Sequence, residues 1–286
     1  MQVIAFMNMK GGVGKTTLAV NVAHTLAQQH GKQVLIVDGD PQFNATQCLV
    51  ADDEYLTHIN DAKKGTIKDI FIPRRAGPVS TTLGVAKSVS KAKMNLGDCT
   101  IEIYSGGPGK AGRLDLLPST LSLVEAENSP RQTEARLKAY LKEKAAHYDC
   151  VIIDCPPTIS FFTHAAILAS DKYIVPIKPD PLSVVGLPLL ERYIEDCTTD
   201  AGMTLEQVGL VFTMVRSPAP QVMRFVMEDL RRQRKAAVFP HILNQATAVA
   251  ESVDAHQPVT KFRKSPAKIK MQVLDITAEF VKRTGV

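Results

Sequence analysis

An α/β fold, with a mostly parallel twisted β-sheet flanked by helices on both faces, is what this sequence predicts. Three observations predict it. Short β-branched runs alternate with segments of helical period, the runs are apolar enough to be buried on both faces, and 45% apolar content over 286 residues supplies a sizeable core.

The first strand, QVIAF (2–6), leads through a glycine-rich loop into TTLAVNVAHTLAQQ, whose spacing predicts a helix over 15–29 with Gly31 just past its end. QVLIVD (33–38), CVIID (150–154), YIVPI (173–177) and VGLVFTMV (208–215) are further strands. Helices are expected near 132–146, 160–170, 183–197 and 220–235. A final helix puts Ile269, Val273, Ile276 and Phe280 on one stripe, which suits packing on the body of the domain. The stretch 73–113 differs: Gly, Ser, Lys and Pro recur in it, as in SGGPGKAG (105–112). It is expected to be an irregular, mobile excursion within one domain spanning 1–286.

The net charge of +5 is too mild to specify a nucleic-acid partner, so the placement of basic residues matters more. No stretch approaches the ~20 uninterrupted apolar residues of a membrane span. The early lysine and glycines stand where a signal peptide would be apolar. Five cysteines without a CxxC fit a reducing compartment, and Cys150 and Cys155, flanking an apolar strand, read as core thiols rather than a metal pair. A cytoplasmic protein without membrane association is expected.

The chemistry begins at NMKGGVGKTTL (8–18). A strand, a glycine loop and a helix in that order make a phosphate-binding loop. Gly11, Gly12 and Gly14 let the backbone curl through Val13 so that successive N–H groups face phosphate oxygens, and the helix N-terminus adds a favourable dipole. Lys15 is placed to reach β- and γ-phosphates and Thr16 to hold Mg²⁺, with Thr17 beside them. The usual loop has a glycine where this chain has Met9, and Lys10 is extra. From position alone, Lys10 reads equally well as a solvated lysine or a second cation for the nucleotide.

Hydrolysis also needs carboxylates. VIIDCPP ends a buried strand in Asp154, at the sheet edge where the phosphate loop sits, so Asp154 is expected to act on Mg²⁺. In VLIVDGDPQ, Asp38 and Asp40 are two apart at a strand end and point to one side if it stays extended. Their mutual repulsion is relieved by a nearby metal, although Asp-Gly-Asp-Pro is also a turn or cap sequence.

KGGVGKTT (10–17), VDGDPQFNAT (37–46) and DCPP (154–157) together resemble the deviant Walker ATPases, and within them the ParA partition group. PIKPDPLSVVGLPLL (176–190) resembles that group too, and ESVDAHQPVTKF (251–262) does so more loosely. The resemblance implies a P-loop NTPase-like fold that takes ATP and Mg²⁺. It also implies that Lys10 crosses a dimer interface to the partner's nucleotide, that Asp40 positions the attacking water, and that Asp38 lies near the metal shell. Lys10, Lys15 and Asp40 are then the catalytic residues, and ATP holds a sandwich homodimer together. Base contacts are expected from the loop after 208–215, at Met214, and from the stretch near Pro240.

Other branches of the superfamily fit less well. Cys99 in GDCTIE does not reproduce the cluster-binding cysteines of the nitrogenase iron protein. Asp275 and Glu279 interrupt the basic face that a MinD-like membrane helix would need. The chain begins with its first sheet strand, so the helix-turn-helix domain of larger ParA proteins is not expected. For nonspecific DNA contact, Arg224, Arg231, Arg232 and Lys235 flank the apolar face of the helix near 220–235, and KFRKSPAKIK (261–270) supplies Lys261, Arg263 and Lys264. Such runs are also ordinary solvated faces. The ParA resemblance favours double-stranded DNA, nucleoid association and a ParB-type adaptor that stimulates hydrolysis. A protein cargo and a MinD-like membrane-surface role are the alternatives.

Overall fold

The computed structural model describes residues 1–73, 96–107 and 111–286. Among them β1 (Gln2–Phe6), β2 (Gln33–Asp38), β3 (Ile101–Ser105), β4 (Arg113–Leu117), β5 (Cys150–Asp154), β6 (Lys172–Ile177), β7 (Glu206–Val215) and β8 (Val238–Asn244) form one sheet in the order β3-β4-β2-β5-β1-β6-β7-β8. Every neighbouring pair is parallel except β3–β4.

Alternate residues of each central strand feed two separate cores. Val3, Leu35, Val151 and Val175 face one side, where α6 (Ala135–Lys144), α7 (Phe161–Ala169), α8 (Pro181–Asp200) and α9 (Gln221–Gln233) pack with Leu137, Phe162, Leu187 and Leu230. Ile4, Ile36 and Ile152 face the other side, covered by α1 (Lys15–His30), α2 (Asn44–Leu49) and α11 (Ala267–Thr284). The stripe Ile269, Val273, Ile276 and Phe280 is buried there, so α11 packs on the body as its spacing suggests. No helix among the described residues is long and apolar enough to cross a membrane. All five cysteines are free and buried.

The period-2 alternation also places the site. Continuing Val34, Ile36 and Cys150, Ile152 by two residues puts Asp38 and Asp154 on the α1 side of the sheet, and the two are register partners across β2 and β5.

The stretch 73–113 requires a correction. Residues 74–95 and 108–110 of it lie outside the described residues, but α5 (Leu96–Cys99) and β3 fall within it, and β3 pairs antiparallel with β4. SGGPGKAG is the connection of that hairpin, joined where Gly106 N–H donates to the Gly112 carbonyl at 3.0 Å. Gly112 has φ +118, and a Cβ there would meet the Ala27 carbonyl at 2.1 Å, so the turn lies directly against α1 and admits only glycine. β4 escaped detection because Asp115 interrupts its apolar run. Tyr148 OH and the Arg113 guanidinium both donate to that carboxylate, which makes its burial tolerable. β8 escaped because Pro240 stands in it, which an edge strand permits. The short helices α3 (Asp52–Asn60), α4 (Ile67–Phe71) and α10 (Thr247–Asp254) also lacked a readable period.

Candidate functional site

The loop between β1 and α1 has the phosphate-binding form. Gly12 and Gly14 take φ of +69 and +81, and Gly14 stands at the helix start, where its carbonyl accepts from Leu18 N–H. Val13 is fully buried and its carbonyl accepts from the Thr213 hydroxyl, which ties the loop to β7. Met9 packs against the first core, and this explains the residue standing in the missing glycine's place. Lys15 is 6% exposed, and its ammonium donates to the Lys10 carbonyl at 3.3 Å. Burial lowers the Lys15 pKa, opposed by the nearby Asp154.

Asp154 is fully buried. Its Oδ2 accepts from the Thr16 hydroxyl at 2.6 Å, while Oδ1 has no hydrogen-bond partner. Burial, then the charge of Asp38, pushes its carboxyl up to about 8. Asp38 is equally buried and pushed up to about 7 by burial, yet its oxygens are engaged: Oδ2 takes Thr46 N–H and hydroxyl at 2.8 and 2.7 Å, and Oδ1 takes Asp40 N–H at 3.2 Å. Asp38 therefore holds the turn that presents Asp40, and Asp154 has the unspent oxygen. A cation fits Thr16 Oγ1 and Asp154 Oδ1 on that ground. The described residues gather no set of three His, Cys, Asp or Glu ligands.

Asp40 is 5% exposed and its Oδ1 caps Gln42 N–H at 2.9 Å. The turn before it presses on β5: Gly39 N–H donates to the Asp154 carbonyl at 2.9 Å, and a Cβ at Gly39 would sit 2.9 Å from that oxygen. Gly39, Thr46 and Asn8 hold the turns around these residues, and sequence reasoning gave them no role. Asn8 takes Lys10 N–H on its side-chain oxygen within the loop and donates to the Pro176 carbonyl, a contact between the ends of β1 and β6 that only the fold brings together.

A cavity of about 590 Å³ opens beside the loop, lined by Gly14, Thr17, Met214, Asn244, Gln245 and the α10 residue Val249 among others. Its size and apolar walls suit a nucleoside. Met214 lines it from inside β7, at φ +54, rather than from the loop after that strand. Pro240 does not line it: it lies in mid-β8, exposed, with its carbonyl taken by Arg231. The wall comes instead from the end of β8 and the residues that follow it.

A family model described as an AAA domain matches residues 1–206. The chromosome partitioning protein ParA of Myxococcus xanthus is 29% identical over 261 residues, which cover 90% of this chain and 80% of that protein. The sporulation initiation inhibitor protein Soj of Bacillus subtilis is 28% identical over 264 residues, covering 90% of each. The chain belongs to the ParA family. Its fold is shared with the solved structure of apo McdA from Cyanothece, at a TM-score of 0.75 and 16% identity over 98% of this chain and 99% of that one. A plasmid partition protein from Borrelia burgdorferi B31 bound to AMPPNP gives 0.74 and 20% identity over 99% of each.

In this ParA-family chain the two basic clusters do not meet. α9 packs on the first face and runs from the carboxyl end of β7 to the start of β8, so Arg232 and Lys235 lie towards the amino edge of the sheet. Arg231 lies over the Phe212 ring and Arg232 pairs with Asp229 at 2.7 Å. Lys261, Arg263 and Lys264 are exposed on the other face, on a segment that Val259 ties to Asn21 of α1. Arg224, near the start of α9, is exposed at the carboxyl edge.

Proposed function

We propose that this chain is a Mg²⁺-dependent ParA-type ATPase, acting as one domain, that partitions DNA. The observation that carries the reading is the division between its two loop lysines. Lys15 is buried among Asp154, Asp40 and the loop backbone, while the Lys10 side chain is 33% exposed and its ammonium is bound by Asp180, 170 residues away. One cation serves the subunit's own phosphates and the other is available to a second subunit, so the complete site needs a dimer held together by ATP.

Within the site, the loop N–H groups and Lys15 hold the phosphates, and Met214 with the α10 wall holds the base. Thr16 and Asp154 hold Mg²⁺, which when bound neutralises charge on the β- and γ-phosphate oxygens. Asp38 fixes the turn that lets Asp40 orient water. The ATP dimer binds double-stranded DNA without sequence preference through exposed basic residues, in the cytoplasm and on the nucleoid. A ParB-type adaptor stimulates hydrolysis and releases it. Because the clusters lie on opposite faces, Lys261, Arg263 and Lys264 form a surface separate from Arg224, Arg231, Arg232 and Lys235.

The test is Asp40→Ala: ATP-dependent dimerisation and salt-sensitive DNA binding persist while turnover falls by about 10²-fold or more. Normal turnover in that variant would overturn the assignment. A second reading is a protein cargo moved by the same cycle; one relative, PomZ of Myxococcus xanthus, 29% identical over 257 residues, is named for cell division rather than for partition. ATP-dependent binding that ignores DNA altogether would favour it.

A further inference from the structure

Lys10 is held on two sides. Its backbone N–H donates to Asn8 Oδ1 at 2.9 Å, and Asn8 in turn donates to the Pro176 carbonyl at 2.8 Å, which fixes the backbone to the end of β6. Its ammonium lies 2.7 Å from both carboxylate oxygens of Asp180. Any movement of the charge therefore comes from the side chain swinging about a pinned backbone.

Asp180 is not free to follow. It is the N-cap of α8, and its Oδ1 also accepts Ser183 N–H and the Ser183 hydroxyl, each at 2.9 Å, with Ser183 itself buried. The helix N-terminus favours the anion whether or not Lys10 is present. Burial works against ionisation, but the hydrogen bonds from Lys10 and Ser183 bring the Asp180 carboxyl below the ordinary value. When the ammonium leaves, the carboxylate keeps its cap, so breaking the pair strands no buried charge. The lysine and aspartate side chains are 33% and 22% exposed, so solvent screening keeps the pair weak and a competing anion can reach it. A triphosphate carries more negative charge than a carboxylate and is the stronger competitor once an interface excludes water.

We propose that Asp180 is the positioning residue of Lys10, an intramolecular counter-ion that restrains the lysine until the nucleotide of a second copy displaces it. This rests on the reading of Lys10 as a cation that acts across a dimer. Its consequence is a threshold: dimerisation must first break an internal contact, so ATP binding alone does not commit a dilute chain to the dimer. The pair re-forms when the subunits part, and the monomer resets.

The experiment is sedimentation of the full chain with Mg²⁺ and AMPPNP over a range of protein concentrations. Asp180→Asn retains the helix cap, because the amide oxygen still accepts from Ser183 N–H, but removes the charge. It is expected to dimerise at about three- to tenfold lower concentration than the wild type and to stay monomeric with ADP. In a Lys10→Ala background the same substitution should bring no gain, which separates restraint of the lysine from any effect on α8. A wild type that stays monomeric with AMPPNP overturns the dimer reading and this proposal with it. A wild type that dimerises beside an Asp180→Asn chain needing as much protein or more, or an equal gain in the Lys10→Ala background, overturns this proposal alone.

Discussion

The two edges of the sheet treat charge in opposite ways. At the amino edge, charged side chains close the ends of the backbone ladder. Asp149 accepts from Gln33 N–H and Asp171 from Val3 N–H, both at 2.8 Å. Arg283 donates to the carbonyls of Val208, Ala236, Ala237 and Val238, pairs with Glu279 at 2.7 Å and stacks on Phe239. At the carboxyl edge, Asp38 and Asp154 are fully buried side by side with raised pKa values, and one Asp154 oxygen has no partner. The same sheet thus uses charge for cohesion at one end and keeps charge under strain at the other. Groups left short of partners are the ones a ligand can satisfy, so stability and function separate along the strands.

The largest test of that separation is Asp154→Asn. At the carboxyl edge it should lower ATP turnover by about 10²- to 10³-fold, because a neutral amide cannot hold a cation against phosphate. The ligand-free protein should nonetheless be no less stable. The sign follows from the raised pKa: the folded chain holds its proton over pH values at which the unfolded chain has released it. Wild-type stability therefore falls as pH rises from about 4 towards 8. The variant lacks that component, so its gain in urea midpoint should be larger at pH 8 than at pH 5. A variant less stable than the wild type at pH 8 would break the comparison.

Arg283→Ala is the counterpart at the amino edge. Losing the guanidinium leaves several carbonyls short of a donor and uncovers Phe239, at a cost of about 3 kcal/mol. The activity of the remaining folded protein should match the wild type, since the residue lies at the far end of α11 from the Asn244–Gln272 contact beside the cavity. Denaturant midpoints and turnover per folded molecule check both halves.

What was legible in the sequence follows the same geography. The strands buried on both faces announced themselves, because such positions tolerate little but Val, Ile and Leu. The phosphate loop was legible because its parts are contiguous. β3, β4 and β8 were not: they lie towards the sheet's two margins, where Asp115 and Pro240 are accommodated by local partners and by the edge itself. In the site, Lys10, Lys15, Thr16, Asp40 and Asp154 came from motifs, but their holders did not. Asp180 stood in a stretch already noticed, yet nothing in its neighbours says that it faces a lysine 170 positions earlier. Thr46 stood at the end of the quoted VDGDPQFNAT with no role of its own, although it carries both donors to one Asp38 oxygen. Pro240 was misplaced because the strand containing it was unseen.

The smallest effect concerns a group between the two edges. His24, in the middle of α1, is almost wholly buried, lies edge-on to Tyr104 at 5.7 Å between ring centres and sits 3.2 Å from the Thr260 hydroxyl. Burial, with the Lys261 charge adding to it, lowers its pKa from 6.5 to about 4. The unfolded chain then takes up the proton first, so this contribution is complete above pH 6.5 and is lost as pH falls towards 4, by about 2 kcal/mol at pH 5. Asp38 and Asp154 act in the opposite sense over the same range, in the wild type and in a His24→Gln variant alike. The difference between those two proteins therefore isolates the histidine: the variant's deficit in urea midpoint at pH 7 should shrink or reverse at pH 5. Parallel pH curves would mean that the folded protein protonates His24 as readily as the unfolded chain does, so that its burial in α1 does not hold it neutral.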